Sequence, residues 1–348
     1  ANLTENADRL VFNNINQDWL IKCLQSFIIQ NQILDATTKV GQPKLAIARI
    51  QNFLVPLPPL AEQQRIVDKI EELFPYIENY EKAETELTKL NADFPEQLKK
   101  SILQQAVMGK LVIQDENDEP ANVLLERIRA EKQQLIKDKK IKKDKNESVI
   151  FVRDNVHYER IGNEERCIED ELPFEIPDSW EWVRLGNILT KLTDGTHSTP
   201  KYTDRGIPFI SVKDVSSGKL LFNTCKHISE TEHKELFQRC NPEYGDIILT
   251  KVGTTGIPVI VDVKDEFSLF VSVALLKFNQ DFIYNKYLLA VINSPLVQKQ
   301  VTENTKGVGN KNWVMRDIYN TLISLPPLAE QNRIVEQIEK LLPMIDEL

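Results

Sequence analysis

An α+β fold follows from three features of this 348-residue sequence. A strand-to-helix junction occurs twice, long stretches carry helical periodicity with few turn residues, and one block alternates short apolar runs with dense turn signals. Together they predict mixed α/β domains alternating with long helical regions around a pseudo-two-fold internal repeat.

The repeat is the clearest of the three. Leu57-Pro58-Pro59-Leu60-Ala61-Glu62-Gln63 is answered by Leu325-Pro326-Pro327-Leu328-Ala329-Glu330-Gln331. The match continues from Arg65-Ile66-Val67 to Arg333-Ile334-Val335, and from Ile70-Glu71, Leu73 and Pro75 to Ile338-Glu339, Leu341 and Pro343. Two successive prolines force an extended entry. Leu60, Ile66, Val67, Ile70 and Leu73 then recur at helical spacing. Each copy reads as a strand end, a Pro-Pro brake and a helix start. The period is too long for a solenoid and predicts a duplicated domain pair.

Residues 1–55 read as the tail of a first domain. Asp18 to Gln30 forms an apolar-periodic helix whose counterpart is Asn285 to Lys299, with Leu20 opposite Leu288 and Ser26 opposite Ser294. Thr38-Lys39-Val40-Gly41 resembles Thr305-Lys306-Gly307-Val308-Gly309 with one residue inserted, and Ile50 and Asn52 fall opposite Ile318 and Asn320. The segment matches only the last third of the domain ending near 325, so the earlier part of the first domain is expected outside this chain. The opening Ala1-Asn2-Leu3, with no initiator Met or signal peptide, agrees with a sequence cut from something longer.

Residues 56–150 form the first helical region and its linker. A helix over 60–110 carries Tyr80, Ala83, Leu87, Leu90 and Phe94 at steps of three and four, the spacing of a coiled-coil seam. The alternative is one amphipathic helix lying on a core. From about Tyr76 to Met108 the helix is roughly 50 Å long. Pro75 and Pro95 are expected to kink or interrupt it, and Gly109 to end it. Gln114 to Pro120 reads as a polar acidic loop and Ala121 to Ile136 as a second helix. The basic tract from Lys137 to Lys145 follows, either a solvated linker or a phosphate contact.

Residues 151–325 contain the complete domain, compact from 172. Turns at Asp194-Gly195, Arg205-Gly206, Ser217-Gly218, Tyr244-Gly245-Asp246, Gly253 and Gly256 separate the predicted strands Phe209 to Val212, Ile247 to Val252, Pro258 to Val263 and Leu269 to Phe278. Tyr287 to Gln300 reads as helix. Residues 326–348 begin a second helical region.

Composition narrows the function. Charged residues are 27% and hydrophobic residues 41%, with no apolar run of membrane-spanning length. Cys23, Cys167, Cys225 and Cys240 lie far apart, which reads as reduced thiols in a cytoplasmic protein. The net charge of −9 argues against a uniform coat for nucleic acid; it leaves room for a local basic face and suits a subunit that docks on proteins. No active site is legible. Asn241-Pro242-Glu243-Tyr244 differs by one residue from the Asn-Pro-Pro-Tyr loop of amino-methyltransferases and has no glycine-rich cofactor turn upstream, so it reads as a turn into a strand. Gly253-Thr254-Thr255-Gly256 lacks the lysine and spacing of a phosphate-binding P-loop. His157, His197, His227 and His233 show no metal-ligand spacing.

What remains are polar turns rich in Lys, Thr, Ser and His. One runs from Lys191 through Thr196, His197 and Thr199 to Lys201. A second holds Lys251, Thr254 and Thr255, a third Lys306 and Lys311, and Lys213 lies in a further turn. Such groups bond phosphates and read base edges, so these residues are the candidate DNA contacts. No catalytic, cofactor or metal residue is assigned.

The repeated Leu-Pro-Pro-Leu-Ala-Glu-Gln-x-Arg-Ile-Val motif resembles that of the specificity (S) subunits of type I restriction–modification enzymes. Similar to that family too are Ser101-Ile102-Leu103-Gln104-Gln105-Ala106, Gly109-Lys110-Leu111-Val112, Leu124-Leu125-Glu126-Arg127-Ile128, Trp180-Glu181-Trp182 with Leu185-Gly186, and Asp194-Gly195-Thr196-His197. The resemblance covers essentially the whole chain. It implies target-recognition domains alternating with helical conserved regions that pair as an antiparallel coiled coil. Residues 1–55 would then be the end of a first recognition domain, 151–325 a second, and 326–348 the start of a second helical region. It also implies a non-catalytic DNA-recognition subunit binding half of a bipartite double-stranded DNA site per domain. Two methyltransferase (M) subunits would dock on it, with restriction/translocase (R) subunits joining the complex. S-adenosylmethionine, ATP and magnesium would belong to those partners, with no cofactor in this chain. A stand-alone adenine methyltransferase and a structural coiled-coil adaptor are the rival readings.

Overall fold

The computed structural model describes residues 7–38, 43–144, 147–307 and 311–348. The first 137 positions hold α1 (Gln17–Gln25), α2 (Phe27–Ala36), α3 (Ile47–Ile50), α4 (Leu60–Val107) and α5 (Ala121–Lys137). Three strands follow: β1 (Ser148–Arg153), β2 (Val156–Ile161) and β3 (Glu164–Cys167). Next come β4 (Glu181–Arg184), α6 (Leu185–Ile188), β5 (Lys191–Asp194), β6 (Tyr202–Thr203), β7 (Ile207–Ile210), β8 (Lys226–Ile228), α7 (Glu230–Arg239) and β9 (Ile247–Thr250). The chain continues with β10 (Pro258–Ile260), β11 (Ser268–Leu269), β12 (Val273–Lys277), α8 (Asn285–Asn293), α9 (Pro295–Asn304), α10 (Met315–Tyr319), β13 (Leu322–Leu325) and α11 (Leu328–Asp346). This mixture of helix and sheet is the expected α+β class. The chain divides within α4, into a first compact unit ending at Ala92 and a second spanning Asp93–Leu348.

In the second unit, one four-stranded sheet runs β10-β9-β12-β5, all neighbours antiparallel. A second runs β11-β7-β8-β6, with β11 and β7 parallel. β13 pairs with β4, and β1-β2-β3 form a meander. The β9 and β12 strands read as unbroken apolar runs because both faces are covered: Ile247, Ile248, Leu249 and Val273 to Leu276 are all fully buried. The predicted strand Leu269 to Phe278 is therefore two, β11 and β12. The meander falls where no strand was expected: its last strand, Glu164–Cys167, carries no apolar alternation, although β1 holds the apolar run Val149 to Val152. Its first turn places Asp154 and Asn155 both at positive φ, the two-residue hairpin turn that short polar residues tolerate.

Beneath the meander lies a buried ion network. Arg184 donates to Glu159 and Glu171, and Arg166 also reaches Glu159. Burial alone would raise the Glu159 carboxyl, but the two guanidinium groups outweigh it and hold it at about 2.

The duplication is drawn in hydrogen bonds. Gln63 accepts from the Asn16 backbone and donates to the Pro58 carbonyl; Gln331 accepts from Tyr284 and donates to Pro326. Each first pair is 47 residues apart. Gln32 clamps Leu54 as Gln300 clamps Leu322, both across 22 residues. Both expected helices are in fact two, broken at Ser26 and Ser294. Each serine is extended (ψ 151° and 155°) and its hydroxyl returns to a carbonyl three residues back. Pro295 reinforces the second break by disfavouring helical backbone at Ser294. The register carries no insertion. Thr37, rather than Thr38, matches Thr305, each hydroxyl bonding the carbonyl four residues earlier, and Thr38 pairs with Lys44 as Lys306 pairs with Asn312. Lys39, Val40 and Gly41 lie outside the described residues.

The two copies differ in what covers them. Leu322, Ile323 and Leu325 are buried against β4 and the core, whereas their equivalents Leu54, Val55 and Leu57 are 80%, 37% and 65% exposed. Glu330 is fully buried and accepts from Trp180 and Gln114, while its equivalent Glu62 is exposed. In the first unit, Trp19, Leu20 and Val67 form a small core.

Pro75 and Pro95 do not interrupt α4, which is continuous over 48 residues. Glu71 and Asn91, whose carbonyls lose their donors, are solvent-exposed, so water can replace the missing bonds. Gly109 does end the helix. Its N–H bonds Ala106, Lys110 bonds Gln105, and its φ of 69° completes a Schellman cap. A Cβ there would overlap the Pro177 ring. The expected seam residues Tyr80, Leu87, Leu90 and Phe94 are 54–74% exposed, so among the described residues they are not core positions. In the second unit α11 runs back along the end of α4: Ser324 bonds the Val107 carbonyl and Asp346 pairs with Lys99.

Candidate nucleic-acid interface

The polar turns singled out in the sequence converge on the ends of β5, β9 and α9. β5 ends at Asp194, whose carboxylate is 8% exposed and gathers an ammonium, a guanidinium and an imidazole. Lys251 Nζ lies at 3.1 Å, Arg239 Nη2 at 2.5 Å and His197 Nε2 at 3.2 Å. Burial alone would push the Asp194 carboxyl up, but the Lys251 ammonium and then His197 outweigh it and hold it below the usual carboxylate range. Gly195 follows because a Cβ there would overlap the Leu269 carbonyl. The close approach lets Thr196 N–H donate to Leu269 and the Thr196 carbonyl accept from Val271.

The second turn, Thr250–Gly256, is stitched to the third, Thr305–Asn312. Trp313 N–H donates to the Lys251 carbonyl, Gly253 N–H to Lys311, and the Thr305 hydroxyl faces that of Thr255 at 3.5 Å. Val308, Gly309 and Asn310 lie outside the described residues. Ser272 ties in the Lys213 turn: its carbonyl accepts from Lys251 and Val252 N–H, and its hydroxyl from Val212 N–H.

The candidate contacts therefore separate into two groups. His197, Thr199, Lys201, Thr254, Lys306 and Lys311 are exposed on the joined turns, and Thr255 is half-buried. Lys213 is 53% exposed and caps the Thr224 carbonyl. Lys251 is a correction: it is buried at 6%, with its ammonium committed to Asp194, so it cannot reach a phosphate. Thr196 is likewise buried and its hydroxyl bonds Ser198, so it shapes the turn. Lys191 lies half-buried on β5, bonded to Asn241 and facing a cleft beside the turns. Asn241 bonds Lys191 and Glu243, and Glu243 N–H bonds Asp246, as a turn entering β9 requires. Sequence reasoning missed Asp194 as the hub and Arg239 as its partner. In the sequence Asp194 reads as a turn residue and as part of the Asp194-Gly195-Thr196-His197 motif, with nothing to mark it as buried, and Arg239 ends a helix that was not expected from the sequence.

Among the described residues, no group of three or more His, Cys, Asp or Glu side chains could hold a metal ion, and no helix is long and apolar enough to cross a membrane.

The model of the family described as the type I restriction modification DNA specificity domain matches residues 6–89 and 177–347. The chain belongs to that family. Both copies of the Leu-Pro-Pro-Leu-Ala-Glu-Gln junction, and all three joined turns, lie inside the matched segments of this specificity-family chain. Curated relatives include the specificity subunits of the type I restriction enzymes EcoEI and EcoAI of Escherichia coli. They are 28% and 27% identical, over 90% of this chain and 57% of each relative. The chain thus spans little more than half the length of these relatives. The solved HsdS subunit from Thermoanaerobacter tengcongensis aligns over 95% of this chain and 64% of its own at 20% identity, with a TM-score of 0.40.

Proposed function

We propose that this chain is a non-catalytic DNA-recognition subunit whose second unit reads one half of a bipartite double-stranded site. The observation that carries the reading is the joined turns: polar loops from distant parts of the sequence, locked by the buried Asp194–Lys251 pair, with exposed Lys, Thr and His side chains around them. Backbone N–H, hydroxyl and ammonium groups on such turns can position phosphates, and the same side chains can reach base edges. The names of the curated relatives support a place in a type I restriction–modification complex. In that reading methyltransferase subunits dock beside the recognition domain, and restriction subunits join through the assembly. The methyl donor, ATP and magnesium are bound by those partners. The helical regions between recognition domains set the distance between half-sites.

Selection from a random duplex library tests this reading, using the full chain assembled with type I modification subunits. A short defined sequence should be enriched, and Lys306→Ala with Lys311→Ala should weaken binding to every duplex alike. Absence of any enriched sequence would count against recognition by these turns.

A further inference from the structure

Beside the joined turns, within the second unit, lies a cleft of about 700 Å³. The basic segment that follows α5 lines it, together with β5, the end of α7 and α10. Six cationic side chains face it: Lys132, Lys140, Lys142, Lys191, Arg239 and Arg316. The carboxylates lining it are Asp144 and Glu147, and Asp144 bonds the Tyr319 hydroxyl. The local excess of positive charge stands out in a chain of net charge −9.

Not all six cations are available. Lys132 is buried, with its ammonium bonded to the Gly186 and Asn187 carbonyls. That contact anchors the end of α5 to α6 and so fixes one wall. Lys191 donates to the neutral Asn241 side chain, and Arg316, 71% exposed, pairs with Asp317 beside it. Lys140 and Lys142 are exposed on the basic segment. Arg239 lies at the junction: it lines the cleft and also bonds Asp194 and the Gly195 carbonyl at the root of the first turn. Lys191 to Thr193 line the cleft and lead directly into Asp194. The cleft and the joined turns therefore share one strand and one arginine.

We infer that this cleft holds the sugar–phosphate backbone of the DNA flanking the half-site, with Lys140 and Lys142 of the basic segment as phosphate contacts. The inference rests on the DNA-recognition reading and adds to it a sequence-independent subsite on the segment joining the helical region to the recognition domain. Multiple point charges spread along a cleft suit the repeated monoanions of a duplex better than a single compact anion. Phosphate contacts of this kind orient a protein on DNA without reading bases.

The test needs no knowledge of the target. Binding of the full chain, assembled with its modification subunits, to a mixed-sequence duplex is measured from 50 to 200 mM salt. Each phosphate contact contributes roughly 0.9 to the slope of log affinity against log salt. The double variant Lys140→Gln/Lys142→Gln should make that slope less steep by about 1.8, so that wild-type affinity falls about ten-fold more than the variant's over this range. The control Lys82→Gln/Lys89→Gln removes the same charge from exposed positions on α4 and should leave the slope unchanged. A cleft variant with the wild-type slope would overturn the inference while leaving recognition by the turns intact. So would a control pair that flattens the slope equally, since net charge alone would then explain the loss. Absence of DNA binding by the wild-type complex would overturn both readings.

Discussion

Asp194 shows how one buried carboxylate can join separate turns into a single surface. Its partners come from the loop after β5, the end of α7 and the end of β9, and only His197 is close to Asp194 in sequence. A charge at 8% exposure is costly unless paired, so Lys251 is held inward and the half-exposed Arg239 reaches in to the same carboxylate. Lys251→Ala should therefore destabilise the second unit by about 3 kcal/mol, because it leaves a buried charge short of its partner. Lys306→Ala, at an exposed position, should cost no more than about 0.5 kcal/mol while lowering the salt slope of DNA binding by about 0.9. Denaturant unfolding of the two variants separates the roles, and equal costs would refute them. The pH dependence has a definite sign. Asp194 is depressed below 3.8 in the fold, so its contribution is present above pH 3.8 and fades as pH falls through the lower folded value. In Lys251→Ala the fading should begin at higher pH. The Asp-Gly turn was legible in the sequence, since Gly is the residue that allows the close approach to Leu269. The buried pairing was not, because a lysine in a polar turn looks the same in sequence whether it faces water or a carboxylate.

At the scale of elements, the repeated junction was legible because two prolines and a helical apolar pattern leave little choice of backbone. The helix break at Ser26 was not, since apolar periodicity continues across the serine and its hydroxyl bond to the preceding turn marks the stop; at Ser294 the same bond is joined by Pro295, a break signal that the apolar periodicity overrides in the sequence. The β1–β3 meander escaped because strands such as Glu164–Cys167 carry no apolar alternation. The duplication also supplies an internal control on packing. Leu322 is 3% exposed on β13, and its equivalent Leu54 is 80% exposed. Leu322→Ala should cost about 2–5 kcal/mol by opening a cavity, and Leu54→Ala no more than about 0.5 kcal/mol. Thermal unfolding of the two variants tests this, and a large loss at Leu54 would show that the first copy is packed as fully as the second.

At the scale of the molecule, composition leaves open what placement decides. A net charge of −9 argues only against a uniform basic coat, and the exposed lysines of the joined turns and the cations of the neighbouring cleft lie together in the second unit. The α+β class and the duplicated order of parts were visible in the sequence through the repeat. The joining of the polar turns was not, because it depends on which side chains distant loops bring together. The joined turns are proposed to choose the DNA sequence. Methylation mapping in cells carrying the intact type I system tests it most directly, comparing wild type with a variant altered at Thr199, Thr254 and Thr255, which leaves the Asp194 cluster untouched. Methylation should fall at a bipartite site in which one half changes or is lost in the variant while the other half and the gap persist. An unchanged methylated sequence, with full modification, would contradict it.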